Sequence, residues 1–128
     1  MAHARVQEVS REVAAAALAP VVRSDPDGLA TPESVAAAGV PLRLDVDGGH
    51  ATMVLARRGP GARQLWIEGA VGGGDADMTA IGLQFIEDTA RQAGCAEVAF
   101  QTSRRGLVRK AARLGYEVRG YILRKAIT

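Results

Sequence analysis

Groups able to do acid–base, nucleophilic or metal chemistry are few in this chain, and they are widely spaced. The one cysteine, Cys95, sits between a helix-like and a strand-like run, with no His or acid placed to activate it, and reads as a small core residue. His3 and His50 stand alone, and no Cys/His cluster has metal-ligand spacing, so no metal is expected. Glu68 is a carboxylate inside the strand-like run 64–71, and Ser103 is a hydroxyl just ahead of a basic helix. Three glycines, Gly72, Gly73 and Gly74, lead through Asp75 and Asp77 into a further helix. Residues 104–125 carry eight Lys/Arg against one acid, Glu117, and the remainder carries 8 basic and 13 acidic residues. Such a division can steer an anion to one end, dock one copy against another, or only solvate a surface.

The elements that position these groups follow from periodicity. Residues 5–18 read as a helix with Val6, Val9 and Val13 on one side, closed by Pro20. Residues 24–28 are a turn by composition, and Thr31-Pro32-Glu33 is a helix start that runs to Gly39. Val40, Leu42, Leu44 and Val46 alternate with Arg43, Asp45 and Asp47, which predicts a half-buried strand. Asp47-Gly48-Gly49 turns the chain into a second strand, 51–56, and 64–71 is the third. A loop at 72–77 precedes a helix over 78–93, which buries Leu83, Ile86 and Ala90 and ends at Gly94. The strand 97–102, a helix over 104–114 with Leu107, Ala111 and Leu114 inward, and strands at 116–118 and 121–127 complete the chain. Strands in a run followed by strand–helix alternation predict an α/β (α+β) mixed sheet, mostly antiparallel, with helices on both faces.

A length of 128 residues with 48% hydrophobic content suits one domain, 1–128, with N-terminal helices at 1–39, antiparallel strands at 40–71 and the remainder at 72–128. Aromatics make up only 4%, so the core must be aliphatic. A single cysteine excludes an internal disulfide framework. The apolar stretch 13–22 is too short to span a bilayer and lacks a basic leader, so a reducing interior, or a particle assembled there, is the expected setting, with no membrane partner.

The element order, and the wording of residues 63–127 down to Leu114-Gly115-Tyr116, resembles the GNAT superfamily of acyl-CoA-dependent N-acyltransferases. The resemblance implies an acyl-CoA held between the fourth and fifth strands, with its pyrophosphate on a loop of the form Arg/Gln-x-x-Gly-x-Gly/Ala at the start of the central helix. Residues 74–79 match that position and depart from the pattern: Gly74 replaces the cation, and Asp77 and Thr79 replace the glycines. In another register Gly72, Gly73 and Gly74 would approach the phosphates, with Arg104 and Arg105 nearby. The family's proton-donating tyrosine falls at Ala111, and Tyr116 matches a packing aromatic. Ser103 matches a polar residue found after the fifth strand, and also reads as a helix cap. Glu68 is the candidate base, beside the cleft the resemblance implies; it also reads as a solvated strand carboxylate.

The expectation drawn from these departures is a catalytically degenerate GNAT-like domain, not an enzyme, that binds no cofactor and acts through a protein partner or its own copies. Its interaction patch would be Arg104, Arg105, Arg109, Lys110 and Arg113. The stretch 105–125 resembles small proteins encoded among virion and assembly genes of tailed bacteriophages. The alternative is an active N-acyltransferase that takes acetyl-CoA or another acyl-CoA. A third reading is a nucleic-acid binder using the basic helix, disfavoured because no aromatics are interleaved with the charges.

Overall fold

Period-2 runs dominate the middle of the chain, and in a computed structural model covering residues 4–22 and 29–127 they assemble one five-stranded sheet. The expected turn at 24–28 and His3 lie outside the described residues. The strands are β1 (Arg5–Glu8), β2 (Val40–Val46), β3 (Gly49–Arg58), β4 (Gln64–Gly74) and β5 (Glu97–Phe100), in that spatial order. Neighbours pair antiparallel except β4 and β5, which are parallel. The helices are α1 (Arg11–Val22), α2 (Pro32–Ala36), α3 (Met78–Gln92) and α4 (Arg105–Arg113).

Alternation in β3 sends its side chains into two cores. Ala51, Met53 and Leu55 join Leu44, Leu65, Ile86 and Ala90 under α3. Val54 points the other way, into a cluster with Ala14, Ala15, Leu18 and Ala36 from α1 and α2. The helices therefore cover both faces, as the periodicity predicts. Thr31 caps α2, accepting the Ser34 N–H while Ser34 Oγ accepts the Thr31 N–H, a reciprocal capping box. Gly48 closes the β2–β3 hairpin at φ 82° and Gly94 ends α3 at φ 74°, conformations that other residues adopt at a cost.

Five sequence expectations are corrected. Residues 5–8 are a strand: Val6 pairs with Leu44 and Arg5 with Asp45, and the helix begins only at Arg11, where Ser10 Oγ accepts the Val13 N–H. Pro20 lies inside the last turn of α1 and does not close it; near a helix end the missing N–H costs a single hydrogen bond. β4 continues through Gly74, so the triple glycine is strand, paired with His50 and its neighbours, and not loop. The strands expected at 97–102 and 116–127 are, respectively, shorter and absent. β5 stops at Phe100, and residues 116–127 carry no strand pairing, leaving Tyr121 90% and Leu123 94% exposed. Alternating apolar residues supply a strand pattern, but the four-residue β5 supplies little edge to receive one.

One irregularity positions the site. The β3–β4 register jumps between Val54, opposite Gly69, and Leu55, opposite Ile67. Glu68 is therefore the extra residue of a β-bulge. Upstream of it, Leu65 and Ile67 face α3. Downstream, a Cβ on Gly69 would stand 2.7 Å from Val35 Cγ1, on the opposite face, so strict alternation, which would set Gly69 on the side of Ile67, fails at the bulge.

Candidate active site

The β4–β5 pairing runs only from Gln64–Glu97 to Ile67–Phe100. Beyond Ile67, β4 goes on for seven residues, with β3 on one side and, among the described residues, no strand on the other. The two strands thus fork, and Glu68 is the first residue past the point of parting.

The Glu68 side chain is only 10% exposed. Its Oε2 accepts a hydrogen bond from Arg58 Nη2 at 2.6 Å, while Oε1 is buried and has no partner among the described residues. A solvated strand carboxylate, one of the two sequence readings, does not describe this group. Arg58 is half exposed and lies over the Trp66 ring, its guanidinium carbon 5.1 Å from the ring centroid. Trp66 Nε1 donates to Gln64 Oε1 at 3.0 Å, and the Gln64 amide donates to Glu97 across the β4–β5 pair. Alternation along β3 and β4 sets Arg58, Trp66 and Glu68 on the face that carries α1 and α2. Neither Trp66 nor Arg58 was singled out from the sequence; the cue available was their place on adjoining strand runs at one end of a hairpin.

At the other end of the fork, Asp77 caps α3. Its Oδ1 accepts the Ala80 N–H at 3.2 Å and lies 2.7 Å from Lys110 Nζ on α4. The bond from Lys110, helped by that backbone N–H, holds the Asp77 carboxyl below the usual carboxylate range. Asp75 is exposed. Gly72 and Gly73 are close-packed: a Cβ on Gly72 would meet the Met78 side chain at 3.2 Å, and one on Gly73 the His50 ring at 3.0 Å. Gly74, at φ 102°, would clash with the Gly48 carbonyl. These glycines let the end of β4 close against β3 and α3, and they leave the free edge of the strand without side chains.

Arg104, Arg105, Arg109 and Arg113 are exposed, as expected, whereas Lys110 is half buried and committed to Asp77. Ala111 is the buried residue of α4, and Leu114, expected inward, is 42% exposed. Ser103 caps nothing: the N-cap is Arg104, without a side-chain bond, and Thr102 Oγ1 accepts the Arg104 N–H instead. Tyr116 packs on Phe100, ring centroids 5.6 Å apart, and donates its hydroxyl to Glu87 Oε2 at 2.8 Å. Burial, with Glu87 adding to it, pushes the phenol well above its usual range. A groove of about 430 Å³ between α3, β5 and residues 114–119 is lined by Cys95, Val98, Leu114 and Tyr116. Neither Glu68 nor the glycine run borders it. No helix among the described residues is long and apolar enough to cross a membrane.

The fold is that of the GNAT-type acetyltransferases. It is similar to a Trypanosoma brucei acetyltransferase, with 16% identity over 98% of this chain and 100% of that one, at a TM-score of 0.56. It is also similar to the aminoglycoside N-acetyltransferase AAC(6')-Iy in complex with CoA, at 15% identity over 98% and 96% of the two chains and a TM-score of 0.60. A predicted acetyltransferase of Clostridium acetobutylicum with acetyl-CoA aligns at 12% identity over 98% and 96%, with a TM-score of 0.56. No family model matches the chain, and no curated protein matches it.

These likenesses overturn the expectation of a catalytically degenerate, structural domain and favour its alternative. The three chains named above, which share the fold across nearly its whole length, are acetyltransferases, two of them in complex with CoA or acetyl-CoA. Asp77 is moreover not a bare charge at the α3 entrance: Lys110, 33 residues away in sequence, pairs with it.

Proposed function

We propose that this chain is an acyl-CoA-dependent N-acyltransferase that transfers an acyl group to an amine. The observation that carries the reading is the forked β4–β5 pair with a nine-tenths-buried carboxylate, one oxygen unpartnered, at the point of parting. A buried acceptor oxygen without a donor is costly to leave so, about 1–3 kcal/mol, and a catalytic role is one of the few explanations for such a group. An acyl-CoA supplies a carbonyl carbon activated as a thioester.

The chain's residues take three parts. Backbone groups along the free side of residues 68–74, which lack a strand partner, offer hydrogen bonds to an extended donor laid in the fork. The α3 entrance does not itself fit a pyrophosphate, because the Asp77 carboxylate already takes the Ala80 N–H there. The fit lies toward α4, where Arg104 and Arg105 present exposed guanidinium groups suited to phosphates. Glu68 Oε1 accepts a proton from the acceptor's ammonium, leaving a nitrogen lone pair able to attack. In the balanced transfer, the nitrogen–carbon bond forms, the carbon–sulfur bond breaks and the thiolate leaves with the electron pair, while the attacking nitrogen gives up its second proton to solvent water as the amide forms. Water protonates the thiolate and receives the proton from Glu68; Tyr116, bonded to Glu87, is not available for that step.

Calorimetry with acetyl-CoA, paired with a thiol-release assay against mixed primary amines, tests the reading. A dissociation constant in the micromolar range, near 8 kcal/mol of binding, with amine-dependent thiol release is expected. Absence of binding at millimolar acetyl-CoA refutes it.

A further inference from the structure

We propose that the acceptor is an α-amino carboxylate, bound as a zwitterion between Glu68 and Arg58; the inference rests on the transferase reading above. Glu68 and Arg58 form an ion pair that is only half consumed. Oε2 is taken at 2.6 Å by one guanidinium nitrogen, and buried Oε1 has no donor. Arg58 in turn uses only Nη2; its other N–H groups have no partner among the described residues, and its side chain is half exposed. The free acceptor and the free donors therefore sit side by side at the fork, a negative site next to a positive one.

A ligand complementary to that pair carries a positive and a negative group the same short distance apart. The ammonium of an α-amino carboxylate satisfies Oε1 while its carboxylate takes the remaining guanidinium N–H groups, and the ring of four alternating charges leaves none unpaired. Trp66 fixes the geometry. The guanidinium lies 5.1 Å from its ring centroid, and the indole is itself held by Gln64, which is tied to Glu97. Arg58 is thus a positioning and specificity residue, with Glu68 the group that takes the proton. A polycationic acceptor would bring a second positive charge against Arg58, which the site opposes.

The test compares free L-amino acids, their methyl esters and the matching decarboxylated amines as acceptors with acetyl-CoA, by thiol release. The free acids should exceed both analogues by about 10–100-fold in kcat/KM, less than a fully enclosed polar site achieves, because Arg58 is half exposed. In Arg58→Gln the ratio should fall toward one through KM, and Arg58→Lys should restore part of it. Circular dichroism of both variants establishes that they fold. Esters or amines accepted as well as the acids, or an undiminished preference in Arg58→Gln, overturn the proposal. Calorimetry with acetyl-CoA alone separates the two readings. A chain that binds acetyl-CoA and acylates every amine alike remains a transferase and loses this inference, whereas one that binds no acetyl-CoA loses both.

Discussion

Replacing Glu68 by Gln separates the carboxylate's chemistry from its packing. The amide keeps the shape of a side chain that is 10% exposed, so no cavity opens. Two stability effects oppose each other. The charge-assisted bond from Arg58 is weakened, and such bonds contribute about 1.5–3 kcal/mol when well buried; with Arg58 half exposed the loss lies at the low end. Against this, the bare charge on Oε1 disappears, which recovers part of a penalty of about 1–3 kcal/mol. The sum is near zero, within about 1.5 kcal/mol of wild type in urea unfolding. Catalysis has no such offset. An amide cannot take the ammonium proton, and loss of a general base slows turnover about 10²–10⁴-fold, roughly 3–5.5 kcal/mol in the barrier. Thiol release at saturating acetyl-CoA, with calorimetric affinity for acetyl-CoA unchanged, reads the effect. A variant turning over within threefold of wild type would refute Glu68 as base. One that loses stability by more than 3 kcal/mol would show that the carboxylate is a structural strut.

Other perturbations test the surrounding scaffold. Asp77→Ala removes the α3 cap and frees Lys110, so it should lower the melting temperature while tightening acetyl-CoA binding in calorimetry. The Asp77 carboxyl is held below its ordinary 3.8, so the pair's contribution is complete above that pH and lost as acid titrates through the lower folded value; Asp77→Asn should remove that part of the acid sensitivity in a melting series. Gly69→Ala drives a methyl to 2.7 Å from Val35 Cγ1 and should cost about 1–3 kcal/mol in urea unfolding. Tyr116 is held neutral by burial and by Glu87, so its stabilisation is present below pH 10 and lost as pH rises toward its higher folded value. Tyr116→Phe should flatten the alkaline limb of the melting curve.

The parts of the fold written in periodicity were legible, and the parts made by distant pairing were not. The β2–β3 hairpin and α3 follow from alternation, Asp47-Gly48-Gly49, and Leu83, Ile86 and Ala90 at helical spacing. β1 was not legible because its four residues are all exposed, and Val6 and Val9 match a helical stripe as well as a strand. Glu68 could be singled out as a strand carboxylate, but its burial depends on a bulge that only pairing with β3 creates. Its partner Arg58 is ten residues back, and Asp77 meets Lys110 across two elements. A local reading of the α3 entrance therefore predicts repulsion where the folded chain has a neutralised pair. The reverse error occurs at 116–127, where an apolar alternation promises a strand that the short β5 edge does not accept.

The bulge also bears on how this scaffold can change. A residue in a regular strand answers to a cross-strand neighbour, and replacing it disturbs both. Glu68 faces no such constraint, because Val54 and Leu55 already pair with Gly69 and Ile67, and the extra residue between them belongs to no rung of the ladder. Its identity can drift while the sheet stays intact. Its count is as free: removing it would leave Ile67 opposite Leu55 and Gly69 opposite Val54 in an unbroken ladder, with Val71 still on the α1–α2 side and the glycines still against Met78 and His50. The position is thus free in chemistry and in number, so that new side chains can be tried at the fork without renegotiating the fold.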